Sequence, residues 1–223
     1  METLYLERLE DLSLLVHDDL IEYALISDGL LHVGIPGGRS AKPLVQGILS
    51  CPPEILSRLC IYLVDERLSG ETNFSTLLDV GLKEAFASGL LKPEQLVVPQ
   101  REKPLMGNDG KLSLLYLGVG EDGHIASLFP SSYPLLDEQG KEGIALVDNS
   151  PKPPAQRITV TYRGFRTWAK QAKIRLLFLG ESKREALLRF LLGKEGASSL
   201  PCRFFVLEGF TVTVVTDLKG IPK

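Results

Sequence analysis

The thirteen residues Gly118–Pro130, GVGEDGHIASLFP, follow the apolar run Leu112–Leu117 (LSLLYL) and set His124 in a glycine-rich loop at its end. A run of that length reads as a buried strand. Gly118, Gly120 and Gly123 then let the chain turn sharply and bring its backbone close to a ligand. In an open α/β sheet the loops at the carboxyl ends of the strands hold the ligands. His124 therefore falls on the ligand edge, with Asp122 two residues earlier as a carboxylate able to hold the ring for acid–base work. The other two histidines lack that setting. His17 sits in a polar helical stretch and His32 inside a strand, and both read as structural.

Outward from this loop, strand-length apolar runs alternate with segments of helical spacing, the pattern of α/β winding. The expected strands are Leu30–Ile35, Leu59–Val64, Leu112–Leu117, Ile144–Val147, Ile158–Thr161, Ile174–Leu179, Phe204–Leu207 and Val212–Val215. Ser40–Leu49 puts Leu44, Val45, Ile48 and Leu49 on one helix face, and Ser182–Leu192 does the same with Ala186, Leu187, Phe190 and Leu191. Glu7–Ile26 also reads as helix, although Asp18 and Asp19 blur its period. The PKPP cluster Pro151–Pro154 lies between close strands and reads as an ordered connection rather than a domain linker. The expectation is α/β: a single domain over 1–223, an open, mostly parallel sheet with helices on both faces.

Composition narrows the function classes. The chain is 44% hydrophobic and 24% charged, an ordinary globular balance. Its 25 Lys and Arg against 28 Asp and Glu leave a formal charge of −3, so no global field draws it to nucleic acid. Any anionic ligand must be held by local cations. Three cysteines, Cys51, Cys60 and Cys202, without C-x-x-C spacing argue against a disulfide framework or a thiolate metal site. The N-terminus has no basic leader with an uninterrupted apolar core, and no apolar run approaches membrane-spanning length. A soluble cytoplasmic protein is expected, with no metal, no cofactor, no nucleic-acid or membrane partner, and a monomeric or weakly homo-oligomeric state.

Three further loops carry candidate chemistry. Gly34-Ile35-Pro36-Gly37-Gly38-Arg39-Ser40 precedes a helix; its exposed N–H groups suit an anion, though a Gly-Gly turn is also plain turn chemistry. Arg39 in a first helical turn is unfavourable unless something negative sits there. Gly180-Glu181-Ser182-Lys183-Arg184 repeats the arrangement, the alternative being a solvated basic helix start balanced by Glu181 and Glu185. Asp65-Glu66-Arg67 closes the strand that ends at Val64. Arg67 there is either a fork for phosphate or carboxylate or a partner in a salt bridge within the triplet. Gly118–Gly123 also fits G-x-G-x-x-G. Its dinucleotide sense is rejected, because Asp122 would put negative charge on the pyrophosphate, Pro130 stops the following helix and SSYPLL supplies no next strand.

Taken together these residues closely resemble the 6-phosphogluconolactonases, whose loop reads G-x-G-x-D-G-H-x-A-S-L-F-P. The resemblance extends to Gly37-Gly38, to Val64-Asp65-Glu66-Arg67 followed by Asn73, to Ser150-Pro151-Lys152-Pro153-Pro154 with Arg157-Ile158-Thr159, and to Gly180 with Lys183. It implies the fold shared with glucosamine-6-phosphate deaminases and ribose-5-phosphate isomerases. The implied reaction is hydrolysis of 6-phosphogluconolactone to 6-phosphogluconate, a step of the oxidative pentose phosphate pathway. The deaminases continue after the histidine with F-N-E-P, and Phe129 stands where that glutamate would be. A non-catalytic sugar-phosphate-binding module is the other rival, against which the intact Asp122-Gly123-His124 core argues.

By the resemblance His124 is the general base and Asp122 its orienting carboxylate, with exposed loop N–H groups near Gly120 and Gly123 available to an oxyanion. Arg157 and Lys183 with the Gly37-Gly38 turn form the expected phosphate clamp, to which Arg67 is a further candidate. Asp65, Arg39 and Ser40 complete the expected substrate contacts. Two departures stand out: the family's G-G-S-T-P is here Gly37-Gly38-Arg39-Ser40-Ala41, and the stretch from Arg67 to Asn73 is shorter than usual.

Overall fold

The computed structural model describes residues 2–101, 103–106, 110–132, 136–137 and 143–221. Its main sheet has seven strands in the order β1-β10-β9-β6-β2-β3-β5. These are β1 (Glu2–Tyr5), β2 (Leu31–Ile35), β3 (Leu59–Leu63), β5 (Leu96–Val97), β6 (Leu114–Gly118), β9 (Lys173–Phe178) and β10 (Val212–Thr216). Every neighbouring pair runs parallel. A second, antiparallel sheet, β4-β8-β7, is built from β4 (Asp65–Arg67), β8 (Arg157–Val160) and β7 (Ile144–Val147). The expected strands Ile144–Val147 and Ile158–Thr161 thus form, but outside the main sheet.

Period-two alternation sorts the side chains of the main sheet into two cores. Leu114 and Tyr116 of β6 point to one, Leu115 and Leu117 to the other. The first core also takes Leu12, Val16 and Leu20 of α1 (Leu12–Ile26) and Leu44, Val45 and Ile48 of α2 (Ala41–Leu49). The short α3 (Pro53–Leu56), α4 (Asn73–Leu77) and α5 (Lys83–Ala87) cover the same face through Leu56, Leu77 and Ala85. The opposite core receives Phe165 and Trp168 of α6 (Tyr162–Trp168) and Leu187 and Phe190 of α7 (Arg184–Leu192). It also receives Phe204 and Phe205 of α8 (Phe204–Leu207). Helices therefore pack on both faces.

Three expectations change. Phe204–Leu207 is helix, not strand: a four-residue apolar run has no decisive period, Pro201 opens a 3₁₀ turn just before it, and two consecutive phenylalanines are buried while Val206 and Leu207 face out. The helix expected from Glu7 begins at Leu12, after a 3₁₀ turn at Leu9–Asp11. No helix follows His124; Ile125 bridges Val119 and Leu128, which folds the loop back on itself before Pro130. Of SSYPLL, residues 133–135 lie outside the described residues.

The order β9-β6-β2 sets three adjacent parallel strands with their carboxyl ends together. Their following segments are Gly180–Lys183, the His124 loop and Gly37–Ser40. From the end of the next strand, β3, the chain passes through Val64 into β4, whose register with β8 brings Arg67 opposite Arg157. Among the described residues no helix is long and apolar enough to cross a membrane.

Candidate active site

These segments enclose a cleft of about 260 Å³. Gly37, Gly38, Arg39, Ser40, Asp65, Arg67, Gly120, His124, Arg157 and Lys183 all line it, whereas Asp122 and Gly123 are not part of its lining. Asn73 and Ala126 are lining residues to which the sequence assigned no role.

His124 is fixed from two sides. Its Nδ1 lies 2.5 Å from Asp122 Oδ1, which also accepts the His124 backbone N–H at 3.2 Å. Phe129 packs against the imidazole with ring centroids 4.6 Å apart. Burial works to raise the Asp122 carboxyl, but the hydrogen bond and charge of His124 hold it well below the usual carboxylate range. With Nδ1 committed to a carboxylate, Nε2 is the nitrogen left to exchange a proton.

The loop glycines serve this arrangement by their size. A methyl group at Gly120 would collide with the His124 ring and with Asp122 Oδ1. Gly123 has φ +87°, and a side chain there would run into Leu200. Their amides are used inside the loop, Gly120 N donating to His124 O at 2.8 Å and Gly123 N to Gly120 O at 3.0 Å. Those two N–H groups are therefore not free for an oxyanion, unlike the expectation from the glycine pattern. Ala126, at φ 47°, holds a left-handed conformation uncommon for a residue with a side chain.

Asp65 and Glu66 part company in β4. Glu66 accepts the amides of Arg67, Asn73 and Phe74, capping α4 rather than pairing with Arg67. Asp65 is buried, its Oδ2 accepting from Ser127 Oγ at 2.6 Å and its Oδ1 from Asn73 Nδ2 at 3.1 Å. Burial pushes its carboxyl up, and the Ser127 bond with the charges of Arg157, His124 and Arg67 offsets only part of that.

The cations divide into two groups. Arg157 lies over the Phe129 ring, 5.5 Å from its centre, and its charge is felt at Asp65 and by Arg67. Its Nε and Nη2 bond the carbonyls of Lys152, Pro153 and Pro154, leaving Nη1 without a protein partner among the described residues. Arg67 donates from Nη1 to Glu71 O, while its buried Nε has no partner among the described residues. Lys183 belongs with Arg39 instead. Burial pushes its ammonium down, and the nearby charges of Lys152 and Arg39 add to that against Glu121 and Asp122. Arg39 donates to Leu179 O at 3.3 Å and lies against Gly180. Ser40 Oγ, in a buried residue of the same turn, makes no hydrogen bond among the described residues. Arg157 and Lys183, grouped by the sequence into one clamp, thus line one cleft in different charge neighbourhoods.

Ser127, Asn73 and Lys152 carry the family resemblance in the sequence but received no role there; their contacts with Asp65 and Glu121 emerge only in the fold. A serine and an asparagine carry no signal of their own until a buried carboxylate needs donors. Among the described residues no cluster of His, Cys, Asp and Glu could hold a metal ion.

Residues 16–214 match the family described as glucosamine-6-phosphate isomerases/6-phosphogluconolactonase. An Oryza sativa subsp. indica protein named "Probable 6-phosphogluconolactonase 4, chloroplastic" is 36% identical over 181 residues, 81% of this chain and 50% of that protein. The chain thus spans about half the length of that relative. The crystal structure of a 6-phosphogluconolactonase from Leishmania guyanensis covers 100% of this chain, and this chain 99% of it, with a TM-score of 0.76 at 18% identity. A monomeric glucosamine-6-phosphate deaminase covers 97% of each chain with a TM-score of 0.68 at 16% identity. At such identities the structural likeness concerns the fold.

Proposed function

The chain belongs to the glucosamine-6-phosphate isomerase/6-phosphogluconolactonase family, and from that premise we propose that it hydrolyses 6-phosphogluconolactone to 6-phosphogluconate. The observation that carries this reading is the His124–Asp122 pair, 2.5 Å apart, beside a cleft lined by four cationic side chains. Phe129 favours it over the deaminase reading: by the resemblance it stands where the deaminases carry their glutamate, and its apolar ring packs on His124. A sensor without chemistry would have no use for an imidazole held by a carboxylate with one nitrogen free.

A lactone is an activated ester. Its hydrolysis needs a deprotonated water, support for the charge on the carbonyl oxygen and a proton for the departing ring oxygen. His124 Nε2 takes the water proton as the oxygen bonds to the carbonyl carbon. The tetrahedral intermediate then expels the ring oxygen, to which the imidazolium returns the proton. Asp122 orients the ring and supports its charged form. Arg157, which lines the cleft with Nη1 unpaired among the described residues, is the donor we assign to the developing oxyanion, and Arg67 adds positive charge beside it. The phosphate takes the other end, against the Gly37–Ser40 turn with Lys183 and Arg39. Gripping it there converts remote binding energy into orientation at the carbonyl. One copy of the chain supplies every group in this scheme, and we read residues 1–223 as one catalytic domain, monomeric or weakly homo-oligomeric.

The deciding assay follows acid release from freshly prepared 6-phosphogluconolactone, corrected for spontaneous opening, alongside ammonia release from glucosamine 6-phosphate. Fast acid release without ammonia is expected; the reverse would assign the deaminase chemistry, and neither would favour a binding module. Gly120→Ala tests the geometry. Its methyl must displace the imidazole, and a misplacement near 1 Å costs about 10²-fold in turnover, so a variant with the parent's kcat would detach the ring's position from the rate.

A further inference from the structure

We propose that Lys152 is a further substrate-binding residue, a phosphate-contacting cation that Glu121 holds at the rim of the cleft until the anion arrives. The inference rests on the lactonase reading for the identity of the anion. Lys152 is outside the cleft lining, yet its main chain is among the best-anchored near the site. Ser150 Oγ donates to Lys152 O at 2.7 Å and accepts from Lys152 N at 3.2 Å. Arg157 Nη2 donates to the same carbonyl at 3.1 Å and to Pro153 O at 3.0 Å, while its Nε holds Pro154 O at 3.2 Å. A cleft arginine thus sets the height at which the Lys152 side chain leaves the loop.

That side chain ends on Glu121, with Nζ 3.0 Å from Oε1. Glu121 sits in the catalytic loop immediately before Asp122 and is 60% exposed, whereas Lys152 is 33% exposed. So open an ion pair does little to hold two loops together and is readily exchanged for another. What surrounds it gives the exchange a direction. Lys183 and Arg39 belong to the same charge neighbourhood, and the Lys183 ammonium makes no hydrogen bond or ion pair among the described residues. Lys183 and Arg39 line the cleft and Lys152 lies near enough for its charge to be felt at Lys183, with Glu121 and Asp122 as the nearby acids, and Asp122 is already committed to His124. A phosphate monoester, carrying close to two negative charges and several acceptor oxygens, suits such a group better than one flexible carboxylate. When it docks, Lys152 turns from Glu121 to the phosphate, and Glu121 is released to water.

This predicts effects of opposite sign from the two halves of one ion pair. Inorganic phosphate is the probe, its binding to the free protein measured by calorimetry and its competition against lactone hydrolysis measured in parallel. Lys152→Gln should weaken phosphate about tenfold and lower the preference for phosphorylated over unphosphorylated gluconolactone by a similar factor, with Lys152→Arg restoring most of both. Glu121→Gln should tighten phosphate and lower KM, because it frees Lys152. If the pair is only a tie between loops, both glutamine variants will shift in the same direction, which overturns the proposal. Phosphate binding within twofold of the parent in Lys152→Gln overturns it as well. Opposite shifts in phosphate binding with no lactone hydrolysis by any form would support the Lys152 assignment while removing the lactonase reading.

Discussion

Replacing His124 with asparagine is expected to lower kcat for lactone opening by about 10²–10⁴-fold, with KM moving far less. Asparagine can still bond Asp122 from its amide and still fills part of the space against Phe129, so the variant keeps much of the loop's packing. It has no basic nitrogen in place of Nε2. The loss should therefore fall on the chemical step, with substrate still gripped by the cations around the turn after β2. Lys183→Gln provides the contrast: it removes the ammonium without touching the dyad, and its defect should lie mainly in KM. Arg157 should behave differently from either. It donates to three loop carbonyls while facing the cleft, so truncating it releases the loop that carries Lys152 as well as the donor nearest the carbonyl. Steady-state kinetics on the three variants, with spontaneous hydrolysis subtracted, separates these roles. An asparagine variant that opens the lactone as fast as the parent would falsify the assignment of His124.

Much of this was legible in the chain because the informative residues sit where the backbone must do something unusual. Gly120 and Gly123 flank Asp122 in a loop that closes on His124, and the strand before them is a plain apolar run. What failed to show in the sequence was of two kinds. Short elements carry too little pattern: β4 is three charged residues, β5 is two residues long, and Phe204–Leu207 is apolar in a way that suits helix and strand alike. The second kind is long-range pairing. That Arg157 belongs with Arg67 and Asp65, while Lys183 belongs with Arg39 and Lys152, depends on the β9-β6-β2-β3 order and on the second sheet rising from the end of β3. Neither follows from residue spacing. Asp19 shows the same limit, because in the sequence it only blurs the period of the first helix.

Asp19→Ala is expected to destabilise the fold by about 3–5 kcal/mol, the usual result of removing one partner from a buried ion pair. For a chain of this size that corresponds to a fall in Tm of roughly 6–20 °C. The carboxylate is 3% exposed. It accepts from Arg175 Nη2 at 2.6 Å and lies 2.9 Å from Lys173 Nζ through Oδ1; Oδ2 takes Arg175 Nε at 3.0 Å and Tyr116 OH at 2.8 Å. One side chain on α1 thereby ties β6 and β9, the two strands that carry the His124 and Lys183 loops. Removing it strands a guanidinium that is 4% exposed and leaves a buried tyrosine hydroxyl short of its partner. The pH dependence has a definite sign. Burial works to raise the Asp19 carboxyl, but Arg175, Lys173 and Tyr116 outweigh it, so its folded value lies below the 3.8 of an unperturbed aspartate. The stabilisation is then fully present above that value and is lost as the pH falls through the folded one. In urea titrations the gap between parent and Asp19→Asn should hold steady at neutral pH and narrow in acid. A gap of constant size down to the acid limit would mean that the charge contributes nothing and only shape matters. Asp19→Leu combined with Arg175→Met should cost less than either single change, because the pair then leaves together and no charge remains buried alone.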